Sequence, residues 1–354
     1  MKSRAPAAAL IIAGGQGTRF WPLSRANRPK PLFSLDGRTT LLGDTIARLQ
    51  PLIARERIFV IAAAAQAALF RRALRGLIAA SNLLLEPEGR GTGVAIAYGA
   101  GVIESRLGAG VVAVMPADHY VAPAATFRRT LGRALRLARA HPAMVVIGVP
   151  PTHPETGFGY QKIGAAINAG GFEVERFVEK PRLELAIEMV RSGDFLWNAG
   201  MFVMSAETLA AELARHCAPL AKVMRELPAL SGTRLAAAYR RLKIDSFDRA
   251  VVEKSRRVIG VRADFRWHDV GSWQGLWEAR RGRDGNLLSG RVVTLDSSGV
   301  LARAADDRLM VLLGVDDLVA IDTGDAILIA KRARSQELRR VIDELRRRGL
   351  DRYL

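Results

Sequence analysis

Short apolar runs alternate with longer amphipathic ones through the first two thirds of the chain. Residues 7–13, 57–63, 111–115 and 144–149 are nearly unbroken in Val, Ile, Leu, Ala and Met, which predicts strands buried on both faces. Between them, 41–52, 66–78, 91–105 and 124–141 repeat apolar residues at helical spacing and predict helices. This alternation predicts an α/β fold, a Rossmann-like domain whose mostly parallel (mixed) sheet carries helices on both faces. The texture changes after Asp284. "NLLSGRVVTLDSSGVLARAADDRLMVLLGVDDLVAIDTGDAILIAKR" is a series of short Val/Leu/Ile pieces cut by Gly, Asp and Ser. It predicts a small β domain with closely spaced turns, closed by a charged helix over 335–348. The pattern therefore divides the chain into 1–284 and 285–354.

No apolar run approaches the length of a membrane span. The run 7–13 follows Lys2 and Arg4 but lacks a signal-peptide cleavage site and leads straight into a glycine-rich loop. The lone Cys217 excludes an intramolecular disulfide framework and fits a reducing compartment, so a cytoplasmic location is expected. At 354 residues and 49% hydrophobic content, the chain can bury a full core.

The net charge of +18 raises the question of nucleic acid. Most of that charge is arginine at helical spacing, as in "FRRTLGRALRLARA", which reads as solvated helix faces. Aromatic content of 6% is poor material for base stacking. No nucleic-acid or membrane partner is expected, although the excess charge would draw anionic substrates. The composition leaves a homodimer open.

Ligands of such sheets sit beyond the carboxyl ends of strands, where this sequence carries its unusual loops. "IIAGGQGTRFWPLSRANRPKPLF" (11–33) fits neither the dinucleotide fingerprint nor the P-loop. Its Gly14, Gly15 and Gly17 let backbone N–H groups approach phosphate oxygens, and Arg19 can grip them in a fork. A tight turn would use the same glycines. Lys30 is mounted between Pro29 and Pro31, a stiff setting for a point charge.

Asp118 follows an apolar strand and a proline, and Asp269 sits in "HDVGS", a turn with a glycine nearby. Singly, each reads as a cap or turn residue; together, beside a phosphate loop, they suit Mg2+. The adjacent His119 and His268 fit hydrogen bonding or packing, since Mg2+ prefers oxygen. Glu179 and Lys180 adjoin at a strand end, where regular geometry would point them to opposite faces. Asn198 offers donor and acceptor to a sugar hydroxyl, or an Asx turn. Trp197, Trp267 and Trp273 read as packing residues.

The first loop resembles the GGxGxRxxPL…PKP signature of the sugar-phosphate nucleotidyltransferases. The whole chain resembles the mannose-1-phosphate guanylyltransferases among them. "EPEGRGTG" (86–93), "MPADHYV" (115–121), "TGFGYQKIG" (156–164), "FVEKP" (177–181), "WNAGMF" (197–202) and "WHDVGSW" (267–273) follow in family order. The resemblance implies GTP and mannose 1-phosphate as substrates, with Mg2+. It implies Arg19 and Lys30 as catalytic residues, and Asp118 and Asp269 as metal ligands. The nucleotide would fall to Gly14, Gly15, Gly17, Thr18, Glu86, Arg90 and Thr92. The sugar phosphate would fall to Gly157, Tyr160, Glu179, Lys180 and Asn198. The tail would be the left-handed β-helix of the short, single-function form, without the isomerase domain of longer relatives; only five histidines are present. One segment departs: the family's Arg-Asn-Thr-Ala-Pro is Arg90-Gly91-Thr92-Gly93-Val94, which removes an asparagine side chain.

Overall fold

The four apolar runs and six further segments form β1 (Ala8–Ile12), β2 (Ile58–Ala63), β3 (Leu83–Glu86), β4 (Val111–Pro116), β5 (Tyr120–Ala122), β6 (Met144–Val149), β7 (Gly159–Ile167), β8 (Gly171–Glu179), β9 (Phe195–Ser205) and β10 (Val258–Arg262). This computed structural model describes residues 6–15, 17–25, 27–34, 39–108 and 110–354. Those residues gather into two compact units. The first draws on 1–14, 46–117 and 121–266, the second on 15–45, 118–120 and 267–354.

In the first unit nine strands form one mixed sheet in the order β3-β2-β1-β4-β9-β6-β10-β8-β7. β1 to β4 pair in parallel, as buried Val/Ile runs separated by helices should. β9 runs antiparallel between β4 and β6, and β7 and β8 form an antiparallel hairpin. The predicted helices appear as Leu41–Leu49, Ala67–Ala73, Thr92–Leu107 and Ala124–Ala140. Thr92–Leu107 is buried along most of its length, and its Gly99 sits where a Cβ would meet Leu10 at 2.5 Å. Among the described residues no helix is long and apolar enough to cross a membrane.

In the second unit β11 (Arg266–His268) precedes the helix Trp273–Arg280. The tail then coils through β12 (Leu287–Ser289), β13 (Arg291–Leu295), β14 (Leu301–Arg303), β15 (Leu309–Leu313), β16 (Leu318–Asp322) and β17 (Ile327–Lys331). Strands alternate between two small sheets: β12, β14 and β16 stack in parallel on one, β13 and β15 on the other. That is the rung pattern of a β-helix. The closing segment is a 3-10 turn, Arg332–Glu337, followed by the helix Leu338–Arg347, where a single helix was expected.

The second unit's core is where sequence and structure part most. Phe20, Trp21, Leu23 and Phe33 from the glycine-rich loop share one apolar cluster with Val270, Trp273, Leu301, Val319, Ile321, Leu328, Leu338 and Ile342. The loop after β1 is thus packed into the same core as the tail.

Candidate active site

Charged side chains tie the glycine-rich loop down as well. Arg25 donates to both carboxylate oxygens of Asp325, at 2.5 and 2.8 Å, and to Thr323 Oγ1 at 3.1 Å. Trp21 Nε1 donates to the carbonyl of Tyr353 at 2.8 Å, and Arg303 to that of Ser34 at 3.2 Å. An irregular segment so fastened can hold backbone groups in fixed positions. Gly14, Gly15 and Arg19 are exposed there; the side chain of Thr18 lies outside the described residues.

Gly17 has φ +59°, and a Cβ on it would lie 2.7 Å from Lys30 Cβ and 2.9 Å from Ser24 Oγ. Only glycine fits both the backbone conformation and the space. The packing seats Lys30, which is 7% exposed, under the loop. Its ammonium lies 2.6 Å from Asp118 Oδ2, donates to the carbonyl of Asp269 at 3.0 Å, and stands 5.6 Å over the Phe20 ring. Motifs 88 and 239 residues away along the chain thus meet at one cation.

The turn at Asp269 is strained. Val270 has φ +48°, a conformation that costs a β-branched residue most. Asp269 Oδ1 accepts from the Gly271 N–H at 3.1 Å and faces His268 Nδ1 at 3.1 Å. Burial works against the ionised form of Asp269. The hydrogen bond from His268 and the charges of His119, His268 and Lys30 outweigh it and hold the carboxyl at about 2. His268 is opposed by its own burial but pushed up to about 9 by Asp269 and Glu278. His119 Nδ1 accepts from Trp267 Nε1 at 3.1 Å, so this histidine has the hydrogen-bonding role expected of it.

The Asp118 carboxylate and the Asp269 carbonyl are hard oxygen donors that converge on one positive charge, whose field also reaches the Asp269 carboxylate. That set fits Mg2+, which takes one or two carboxylates and leaves positions for phosphate and water. Among the described residues no group of three or more His, Cys, Asp or Glu side chains is arranged around a metal site.

The remaining candidates form two groups in the first unit. At the end of β3, Glu86 is 6% exposed, and burial pushes its carboxyl up to about 7 despite the nearby Tyr239 hydroxyl. Glu86 Oε1 has no hydrogen-bond partner among the described residues. Arg90 pairs with Glu88 at 2.8 Å and donates to the carbonyl of Arg240 at 3.2 Å. Thr92 Oγ1 accepts from the Phe247 N–H at 3.0 Å. Gly91 and Gly93, where the chain departs from its family, face the carbonyls of Ile244 and Asp245, at 3.5 and 3.1 Å from an added Cβ. Small residues there let the helix start pack directly on that segment.

In the second group, Lys180 has φ +51°, and this left-handed residue defeats the expected alternation. Its ammonium folds back to Glu179 Oε1 at 3.1 Å. Glu179 is itself raised, by burial first and by Asp248 second, with Lys180 opposing. Asn198 forms the Asx turn and uses its donor on a carboxylate. Its Oδ1 accepts from the Gly200 N–H at 3.0 Å in an Asx turn, while its Nδ2 donates to Asp248 Oδ1 at 2.8 Å. Tyr160 is fully buried, and its hydroxyl both donates to the Glu155 carbonyl and accepts from the Glu155 N–H, each at 2.9 Å. It braces the loop bearing Gly157, whose N–H reaches Glu155 Oε1 at 2.8 Å.

Asp248 and Glu253 escaped the sequence reading. Asp248 is half-buried and its carboxyl is raised, chiefly by desolvation, and Glu253 Oε1 accepts from the Glu179 N–H at 3.0 Å. The available signal was "SFDRAVVEKS", two acids set in an apolar run behind a serine cap. Buried acids without a structural purpose are costly.

Residues 8–284 match the family model described as nucleotidyl transferase, and residues 290–345 match that of the MannoseP isomerase/GMP-like beta-helix domain. A mannose-1-phosphate guanylyltransferase of Escherichia coli K12 is 35% identical over 96% of this chain and 73% of its own length. The alginate biosynthesis protein AlgA of Pseudomonas aeruginosa is 32% identical over 96% of this chain and 72% of its own. A crystal structure from Thermus thermophilus, described as a mannose-1-phosphate geranyltransferase, has a TM-score of 0.88 and 36% identity, covering 96% of this chain and 99% of that one.

Proposed function

The chain belongs to the nucleotidyl transferase family, with mannose-1-phosphate guanylyltransferases among its relatives, and we propose that it joins GTP to α-D-mannose 1-phosphate, releasing pyrophosphate and GDP-mannose. The observation that carries this reading is the Lys30 ammonium, clasped by Asp118 and Asp269 beneath a glycine loop. Positive charge held stiffly beside backbone N–H groups is what a triphosphate needs.

A sugar-phosphate oxygen attacks the α-phosphorus in line, and the new P–O bond forms as the bond to pyrophosphate breaks. The nucleophile is already anionic, so no general base is required, and alignment and charge neutralisation supply the rate. Gly14, Gly15, Gly17, Thr18 and Arg19 bind the phosphates, and Lys30 offsets charge near the transferring group. Mg2+, where bound, would be held by Asp118 and Asp269, and it supplies neutralisation of the triphosphate. Glu86, Arg90 and Thr92 take the nucleoside end. Lys180 binds the incoming phosphate and Glu179 and Asn198 the sugar hydroxyls, with Asp248 orienting Asn198 and Tyr160 fixing the loop at Gly157.

The test is a panel of nucleoside triphosphates against sugar 1-phosphates, read by pyrophosphate release. GTP with mannose 1-phosphate should give the highest kcat/KM. A faster pair would replace these substrates, and tight binding without release would make the chain a sugar-nucleotide-binding regulator.

A further inference from the structure

The segment "FRRTLGRALRLARA" reads as a solvated helix face, but its arginines are not placed like those of other helices. The closing helix sets arginines against acids one turn away, as with Arg346 and Asp343, or Arg347 and Glu344. The helix Ala124–Ala140 holds five arginines and no acid. Arg129 and Arg133 repel at i,i+4, as do Arg133 and Arg136 at i,i+3, so the arrangement opposes helix formation. Arg129 donates to Thr126 Oγ1 at 3.0 Å, and Arg133 reaches the carboxylate of Asp264, just beyond β10. Arg128 and Arg136 have neither an ion pair nor a hydrogen bond among the described residues.

Arg128, Arg129, Arg133 and Arg136 line one open groove of about 710 Å3, and Gly132 lines it between them. They stand at i−4, i−3, i+1 and i+4 from that glycine, the positions around it on the helix surface. Glycine inside a helix is destabilising, and packing does not require this one. A Cβ there would meet only the Arg136 guanidinium, at 3.7 Å. The missing side chain leaves the helix backbone open to close approach beneath the guanidinium groups. Pro51 and Leu52, the latter 41% exposed, give the groove an apolar edge.

We propose that this groove binds a phosphoanhydride chain, the diphosphate or triphosphate of a small molecule, through residues that the candidate active site does not use. Four arginines against Asp264 leave a charge of +3, which matches such a chain. Guanidinium groups grip phosphate oxygens in pairs, and the chain would lie over Gly132 with any attached group against Leu52. Asp264 competes for Arg133 with the same chemistry, carboxylate in place of phosphate. The volume is that of a small-molecule site, and the arginines span only about 12 Å of helix, a short track for nucleic acid.

Isothermal titration with inorganic pyrophosphate, free of divalent metal, should show a binding equivalent that Arg129→Ala with Arg136→Ala weakens about 100-fold or more. Gly132→Leu should remove it too, while raising the melting temperature, because leucine favours a helix interior. Asp264→Asn should tighten it about 2- to 5-fold by freeing Arg133. Inorganic phosphate should bind about 10-fold more weakly or worse, since one phosphate reaches fewer guanidinium groups. GTP separates the sources of the chain. Affinity no better than that of pyrophosphate assigns the groove to the free anion; tighter binding that is lost in Leu52→Ser assigns it to a nucleotide. The groove variants should keep kcat, whereas Lys30→Ala should lose turnover and keep the groove equivalent, so this site and the proposed function can fail separately. Should one variant not fold by circular dichroism, the others decide, Asp264→Asn among them. Pyrophosphate binding untouched by the groove variants, phosphate binding as tightly as pyrophosphate, or single-stranded DNA binding the groove more tightly overturns the proposal, the last in favour of nucleic acid.

Discussion

Glu86 carries a cost that depends on pH. Its folded pKa of about 7 lies above its ordinary 4.5, so between those values the folded chain holds a proton that the unfolded chain has released. Stability contributed by this group is therefore lost as pH rises from 4.5 through 7, by at most about 3 kcal/mol. Glu86→Gln should match wild type near pH 5 and exceed it near pH 8 in urea unfolding; a constant difference would remove burial as the cause. Gln161 is fully buried, and neither Oε1 nor Nε2 has a partner among the described residues. Leucine there should raise stability by about 1 kcal/mol, since an unmade buried hydrogen bond costs more than an apolar group of similar shape; a lowered melting temperature would mean the amide is served by water. For the metal pair, Asp118→Ala, Asp269→Ala and the double variant should lose turnover to nearly the same degree, because groups holding one ion fail together. Multiplicative losses with unchanged metal dependence would sink that reading. Lys30 and both acids were legible from their turn and proline settings. Asp248 was not, because a serine-capped acid has many structural uses.

At the scale of elements, the buried strands were the easiest to see, since β1, β2, β4 and β6 have no polar interruption. β7 and β8 alternate and carry charge on an exposed face, so their pattern competes with that of loops. The glycine loop is the element whose form depends most on one residue. Gly17→Ala should cost about 1–2 kcal/mol from the left-handed backbone alone. It would also push Lys30 from its seat, and displacement of about 1 Å can cost 100-fold in rate. Turnover and thermal melting check this together: native turnover would show that the loop need not hold the lysine closely.

For the whole molecule, contiguous domains were expected at 1–284 and 285–354, while the described residues cluster with 15–45 beside the tail. Contacts such as that of Arg25 with Asp325, 300 positions apart, leave no periodic trace, so composition could not reveal them. Removing the chain from 284 onward takes Leu301, Val319, Ile321, Leu328, Leu338 and Ile342 from the cluster that holds Phe20, Trp21, Leu23 and Phe33. The truncated chain should bind hydrophobic dye and lose turnover; full kcat in a soluble product would show that the loop orders itself. The bond from Trp21 to Tyr353 has a meaning in time. During synthesis the loop leaves the ribosome early, but its anchors follow about 300 residues later, on the order of 15–60 s at 5–20 residues per second. The glycine loop is thus made about 300 residues before the side chains that fasten it, and a nascent chain carries it unfastened for that interval.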